Sequence, residues 1–308
     1  MRRTAEGIIN KNVKVCGHPT YPGYIVKGDR DSMLIEAGLN IIGPSYLQGI
    51  KHVLGDDSPL DYILVTHGHY DHLGAISYLK KMIPAAKIMG HESLATLLQK
   101  QKVLDTMNFL SEQTWSYFED IKKMISEKDD ILIRPVALAK GLKEGDIIEM
   151  GNLNCLVYET PGHTKDHLSF FIPEEGILFA GEALGNPIMQ KENEIKIEFL
   201  TSYTDYLQSI EKLVKLLPKV KIIAMSHLYY YTDDDVAKVM ELAYNDTICY
   251  RDLIEKYLDM ENGNVEAAVQ TMVRTEYDEK GNVYQERNAY ITNVSAQVKA
   301  VAALASTS

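Results

Sequence analysis

The stretch from residue 66 to residue 72 reads Thr66-His67-Gly68-His69-Tyr70-Asp71-His72, with three imidazoles and one carboxylate within six positions. Neutral imidazole suits zinc, iron and similar metals, and a carboxylate adds a hard oxygen ligand. The apolar run 62–65 before the stretch predicts a short buried strand, and the run 73–82 after it predicts a helix. The cluster is therefore expected on a strand-to-helix turn.

The spacing within this turn favours two metal ions over one. His67 and His69 point to the same side of an extended segment. Asp71 and His72 follow where the chain turns, so they can face a second point nearby. A lone histidine is usually a surface or packed residue, but burying three with a carboxylate and no metal would leave several polar groups unpaired. We therefore interpret the cluster as metal-binding.

The same stretch matches the HxHxDH signature of the metallo-β-lactamase superfamily, including the leading Thr66 and the Gly74 that follows. Three later segments occur in the order that this family requires. The first resembles the family's GHT element and reads Thr160-Pro161-Gly162-His163-Thr164. The second resembles its strand that ends in a bridging carboxylate and reads Ile177-Leu178-Phe179-Ala180-Gly181-Glu182. The third resembles its strand that ends in the last histidine ligand and reads Lys221-Ile222-Ile223-Ala224-Met225-Ser226-His227. The resemblance covers roughly residues 10 to 230.

The resemblance implies a cofactor of two divalent metal ions. The implied ligands are His67, His69 and His163 for the first metal and Asp71, His72 and His227 for the second. Glu182 stands where the family normally has the bridging Asp, and we expect it to be a ligand. It can instead bind one metal only, swing away, or simply accept hydrogen bonds at a strand end. Because the set contains nitrogen and oxygen but no thiolate, zinc is the first expectation, with iron or manganese as alternatives.

Two metals that share a water lower its pKa and present hydroxide at neutral pH. The resemblance is nearest to thioesterase-like, quorum-signal-related members. It implies a hydrolase of a small-molecule thioester or ester, with the metal-bridging hydroxide as nucleophile and Asp71 able to orient it. A lactonase or phosphodiesterase on the same centre remains an alternative. So does a metal-bound sensor or interaction protein with vestigial hydrolysis.

Two tyrosines are candidate catalytic contacts. Tyr24 and Tyr229 lie in segments expected near the cleft. A tyrosine hydroxyl can donate a hydrogen bond to a developing oxyanion. The alternative for each is ordinary packing with the hydroxyl at a wet edge.

The composition excludes several partner classes. A formal net charge of −11 argues against a nucleic-acid partner, which favours a basic face. No apolar window long enough for a membrane span or a signal peptide occurs in the sequence. The three cysteines, Cys16, Cys155 and Cys249, are far apart and fit no disulfide framework. We therefore expect a cytoplasmic protein whose partner is a small-molecule acyl substrate, with no nucleic acid and no membrane.

Strands and helices alternate along the chain, including a predicted strand at 131–136. Together with the resemblance, this pattern predicts an α/β fold, an αββα sandwich of two mixed β-sheets flanked by helices. The predicted domains are a core of residues 1–233, with a helical insertion at about 92–127, and a C-terminal helical extension of residues 234–308. We expect the extension and the insertion to cover the cleft and to shape an acyl or aryl pocket. The alternative is that they only pack on the core or form a homodimer interface, and the two interpretations are compatible.

Overall fold

The computed structural model describes residues 1–56, 60–126, 129–283 and 285–304. The chain divides into two compact units. The core unit comprises Met1–Glu159, Asp166–Gly181 and Lys219–Asp233. The helical unit comprises Thr160–Lys165, Glu182–Pro218 and Asp234–Ser308.

The strands, in chain order, are β1 (Arg2–Thr4), β2 (Val13–His18), β3 (Tyr21–Lys27), β4 (Ser32–Ile35), β5 (Tyr62–Leu64), β6 (Lys87–His91), β7 (Lys140–Leu142), β8 (Ile147–Glu149), β9 (Asn154–Glu159), β10 (Leu168–Ile172), β11 (Ile177–Gly181), β12 (Asn186–Ile188), β13 (Lys191–Lys196), β14 (Ile222–Met225) and β15 (Tyr229–Thr232). The α-helices are α1 (Gly43–Leu54), α2 (Tyr70–Leu73), α3 (Ile76–Met82), α4 (Leu94–Leu97), α5 (Gln101–Thr114), α6 (Glu119–Lys122), α7 (Tyr203–Val214), α8 (Asp234–Met260), α9 (Val265–Met272) and α10 (Arg287–Ala302).

Two mixed sheets form the core unit. The first has the strand order β1-β15-β14-β11-β10-β9-β8, with β11 and β14 parallel and the other pairs antiparallel. The second runs from β2 to β7 in sequence order, antiparallel up to β4 and parallel beyond it. The prediction of two mixed sheets with helices is confirmed.

Side-chain alternation explains how the second sheet is buried on both faces. Tyr24 and Val26 of β3 pack with Phe170 and Phe179 of the first sheet, in the apolar layer between the sheets. Ile25, between them in sequence, packs with the side chains of α1 and α3. Strands that are covered on both faces are expected to have continuous apolar sequences. The largely apolar sequences of β4 and β5 agree with this expectation.

The predicted helical insertion at 92–127 is helical but interrupted, since α4, α5, a 3₁₀ turn at Trp115–Tyr117 and α6 follow one another. Its last position, 127, lies outside the described residues. The predicted strand at 131–136 is wrong. The backbone N–H of Ile133 donates to the Asn108 side chain and its carbonyl accepts from the same side chain, so these groups do not join a sheet. Pro135 also lacks the donor that a ladder needs. The next strand along the chain is β7, at Lys140–Leu142.

The helical unit contains α7 to α10 and the β12–β13 hairpin, which the sequence pattern did not predict. Asn264 caps α9, because its side chain accepts from the N–H of Ala267. A π-helical turn, Val273–Glu279, follows α9 directly. Within the described ranges, none of the helices combines the length and apolar content needed to cross a bilayer. The domain boundary after residue 233 and the homodimer stay predictions.

Candidate metal centre

The carboxyl ends of two core strands carry five ligand-type side chains. His67 and His69 follow β5, and the short helix α2 then begins at Tyr70, which puts Asp71 and His72 in its first turn. His227 follows β14. The sequence-predicted strand-to-helix turn is therefore present in the structure.

Asp71, His72 and His227 form a compact group within the core unit. Their ligand atoms lie within 4.8 Å of one another. The Asp71 Oδ2 atom is 3.7 Å from His72 Nε2 and 4.0 Å from His227 Nε2. These separations are long for direct hydrogen bonds. Two atoms that each bind one ion at about 2.1 Å can lie up to roughly 4.2 Å apart, so the spacing suits a shared metal.

The other ring nitrogen of each histidine is held by an acceptor. His72 Nδ1 lies 3.1 Å from Glu36 Oε2, and His227 Nδ1 lies 2.9 Å from the carbonyl oxygen of Thr20. A ring that donates its Nδ1–H in this way presents the lone pair of Nε2, which is the form that binds metal. The donor chemistry of this group therefore fits a divalent ion.

His67 and His69 form a second pair of donors in the core unit. His67 Nε2 lies 3.0 Å from His69 Nδ1. The Thr66 hydroxyl gives its single proton to Glu36, at 2.7 Å, so it accepts from His67 Nδ1 at 3.0 Å. This arrangement leaves Nε2 of His67 as a lone-pair donor as well.

Glu36 supports both groups and was not identified from the sequence. Its buried carboxylate accepts from the hydroxyls of Thr66 and Ser226, at 2.7 and 2.6 Å, and faces the His72 imidazole. It therefore joins the ends of β4, β5 and β14. The available signal was a charged residue directly after the apolar run Met33-Leu34-Ile35. Its backbone is in the left-handed region, with φ of 71°.

In the helical unit, His163 and Glu182 form the corresponding pair. His163 Nε2 lies 2.5 Å from Glu182 Oε2, and its Nδ1 donates to the carbonyl of Glu198 at 2.6 Å. Gly162 precedes the histidine with φ of 126°, and a Cβ there would collide with the backbone of Tyr206. Only glycine permits this close approach, which places His163 against α7.

Glu182 and His163 are electrostatically coupled. Burial disfavours the His163 imidazolium, but the carboxylates of Glu182 and Glu198 outweigh this effect and raise the pKa of His163. Asn186 donates to Glu182 Oε1 and to Glu198 Oε2, at 2.5 and 2.7 Å, which fixes both carboxylates. A metal ion bound here would compete with a proton for these ligands.

The two candidate tyrosines have different surroundings. The Tyr24 ring packs on Phe179, and its hydroxyl donates to the carbonyl of Met225 at 2.5 Å. Its contacts are those of a core residue, and burial raises the pKa of Tyr24 well above its usual value. Tyr229 is half-buried in β15 beneath the guanidinium of Arg2, 4.3 Å from the ring centre. A catalytic contact for either stays a prediction.

His167 also lies in the core unit, at the start of β10. Its ring centre is 5.1 Å from that of His67. Gly181, with φ of 61°, leaves the space that His167 occupies, because a Cβ at this glycine would collide with the His167 ring. His167 therefore packs beside the candidate ligand His67.

Comparison with known proteins supplies the family. Residues 22–227 match the sequence profile of the metallo-beta-lactamase superfamily, which is more than half of the chain. The chain belongs to this superfamily. The family and fold predicted from the four motifs are thereby confirmed.

Two relatives are named as hydrolases. The chain is 27% identical to a hydroxyacylglutathione hydrolase of Legionella pneumophila (strain Lens), over 44% of this chain and 38% of that one. It is 24% identical to the acyl-coenzyme A thioesterase MBLAC2 of Gallus gallus, over 64% of this chain and 67% of that one. The hydrolase class predicted from the sequence agrees with both names. The matches span between 33% and 60% of the length of the first curated relatives.

Among solved structures, a metallo-beta-lactamase family protein from Thermus thermophilus is similar, with a TM-score of 0.59 and 18% identity. The match covers 97% of this chain and 92% of that one. At this level of identity the likeness shows the fold.

Proposed function

We propose that this protein is a dinuclear metal-dependent hydrolase that cleaves a small-molecule acyl thioester or ester. The observation that carries the proposal is the group of Asp71, His72 and His227. Both of its imidazoles have Nδ1 held by a fixed acceptor, so both present Nε2 towards one carboxylate oxygen. Structural packing alone gives no reason for two imidazoles to be oriented in this way.

The proposed ligand set is the one that the family resemblance implies. Asp71, His72 and His227 would hold one metal, and His67, His69 and His163 would hold the other. Glu182 takes the place of the bridging carboxylate, a position that its contact with His163 Nε2 supports. When bound, the metal ions act as Lewis acids that activate water and polarise an acyl carbonyl. Zinc is the proposed metal, with iron or manganese as alternatives.

Asp71 is the group best placed to move a proton. Its side chain is 21% exposed, while that of His72 beside it is 2% exposed. The carboxylate is thus open to water and substrate, and its Oδ2 atom faces the imidazoles of His72 and His227 at 3.7 and 4.0 Å. We propose that Asp71 orients the attacking water and accepts its proton, a role in which positioned carboxylates are effective.

The substrate class rests on the names of the relatives. An acyl-coenzyme A thioesterase and a hydroxyacylglutathione hydrolase both act on acyl compounds. We propose an acyl substrate here too, and a cytoplasmic location. The buried free thiols of Cys16 and Cys155 support that location, because reduced cysteines are usual there.

Metal analysis of the purified protein, with hydrolysis assays, tests the proposal. We expect two metals per chain and cleavage of an acyl-coenzyme A in preference to a lactone or a bis-aryl phosphodiester. His72→Gln is expected to lose one metal. Glu182→Gln is also expected to lose one metal, because Glu182 is a proposed ligand. The matched control is His52→Gln, which changes an exposed histidine of α1 and should keep both metals. One metal or none in the reconstituted parent chain, with no acyl hydrolysis, would refute the proposal.

A further inference from the structure

The helical unit contains a cavity that the metal centre does not explain. Its volume is about 410 Å³. This is within the usual range for small-molecule sites, which are concave and mostly apolar. At about 30 Å³ for each water-sized group, it has room for a ligand of roughly ten to fifteen non-hydrogen atoms. Its apolar wall includes Ile188, Ile195, Ile197, Leu253 and Met272.

The charged groups of the cavity are mostly acidic. Among the described lining residues, the carboxylates are Glu194, Glu198, Asp246 and Glu276, and the cation is Lys196. Lys196 is engaged by Glu198 at 3.2 Å. An anionic ligand, such as a fatty acid or a phosphorylated carrier, would be repelled here. A ligand with an apolar body and a positive charge is favoured.

One face of α8 contributes a carboxylate, that of Asp246, to this largely apolar cavity. Asp246, Cys249, Tyr250 and Leu253 follow the spacing of a single helix face and all line the cavity. Asp246 Oδ2 accepts from the N–H of Ile195 at 3.2 Å. Partial burial raises the pKa of Asp246. A nearby ammonium group would offset that desolvation by favouring the charged carboxylate.

The buried carboxylates, by contrast, are already satisfied. Glu276 accepts from the Tyr257 hydroxyl at 2.5 Å and from Lys280 at 2.8 Å. Glu198 accepts from Asn186 and Asn293, at 2.7 and 2.6 Å. Glu194 accepts from Lys191 at 2.7 Å. Asp246 is therefore the carboxylate best able to meet a ligand. Glu276 belongs to the π-helical turn, and such turns occur frequently at functional sites.

We propose that this cavity is a binding site for a small apolar amine, with the alkyl or aryl part against the isoleucines and the ammonium group on Asp246. The ligand class follows from the apolar wall, the acidic charge and the volume together. The site goes beyond the proposed hydrolase activity and does not depend on it.

Cys249 provides a direct measurement of occupancy. It lines the cavity and is exposed, whereas Cys16 and Cys155 are buried, and burial raises the pKa of both thiols far above the usual value. A thiol reagent applied to the native full-length chain should therefore label Cys249 selectively. A ligand in the cavity should slow this labelling.

The experiment compares n-octylamine, n-octanol and octanoate on the unaltered chain. We expect octylamine to slow labelling of Cys249 and octanoate to have no effect. Octanol should bind about tenfold more weakly than the amine, as expected for loss of one charge-assisted hydrogen bond. Asp246→Asn should bring the amine to the level of the alcohol. Asp252→Asn, an exposed change on the same helix, should not alter the order of the probes.

Each other outcome overturns the inference in a defined way. Equal protection by all three compounds would show an apolar site without selectivity for an amine. No protection by any compound, with calorimetry also showing no octylamine binding, would show that the cavity is not a site. The probe comparison needs no variant, so it remains decisive even where Asp246→Asn is unstable. Because labelling involves no turnover, its failure is distinct from failure of the proposed hydrolase activity.

Discussion

Replacing Asp71 with Asn is expected to lower kcat for acyl hydrolysis by about 10²–10⁴-fold, the range found for loss of a positioned general base. Asparagine keeps the size of the side chain but cannot accept a proton from water. It also offers His72 and His227 a neutral amide in place of the carboxylate oxygen that lies 3.7 and 4.0 Å from their Nε2 atoms. The measurement is kcat with the best acyl substrate and the metal content of the same sample.

Asp105→Asn is the matched control for this change. Asp105 is exposed on α5, where its carboxylate accepts from Gln101. This control should keep both its activity and its metals. Activity within threefold of the parent in Asp71→Asn, with metals still bound, would remove Asp71 from the mechanism; that threshold is about 0.6 kcal/mol, far less than a general base supplies.

Glu36→Gln is expected to weaken metal binding by roughly 10–100-fold, as is typical when a partner of a ligating histidine is lost. The amide oxygen can still accept from Thr66 and Ser226, but the amide nitrogen would then face His72 Nδ1. Two donors cannot pair. His72 must therefore lose its hydrogen bond to residue 36 or change tautomer. A change of tautomer places the proton on Nε2, the nitrogen that should bind the metal.

Competition with a chelator measures this effect without any assay of turnover. Glu112→Gln is the control, since Glu112 is exposed on α5. Thermal unfolding of the metal-free forms shows whether Glu36→Gln acts on the site or on the whole fold. An unchanged metal affinity in a folded Glu36→Gln protein would mean that Glu36 does not position the ligands.

The core ligands could be predicted because they are close in sequence. His67, His69, Asp71 and His72 occupy one turn, so local geometry alone brings them together. Glu36 and Thr20 could not be predicted in this way, since their contacts depend on which strands become neighbours. A charged residue after an apolar strand is common, and nothing local shows that three distant side chains converge on it.

The secondary structure shows the same limit. The sequence predicted the strands that bear ligands, because their apolar runs end in marked turns. It failed at 131–136, where a distant side chain, that of Asn108, takes the backbone hydrogen bonds of Ile133. Local propensity does not register competition of this kind. The β12–β13 hairpin was missed because residues 189–194 are largely polar and show no clear alternation.

Glu198 takes part in two sites, the candidate metal centre and the cavity of the helical unit. Its carbonyl oxygen accepts from His163 Nδ1, and the same residue lines the cavity of the helical unit. If the metal and the amine both bind, Glu198 is in contact with both sites. Thermodynamic linkage then requires that any effect of one ligand on the affinity of the other is reciprocal. Any factor by which the amine changes metal affinity must equal the factor by which the metal changes amine affinity.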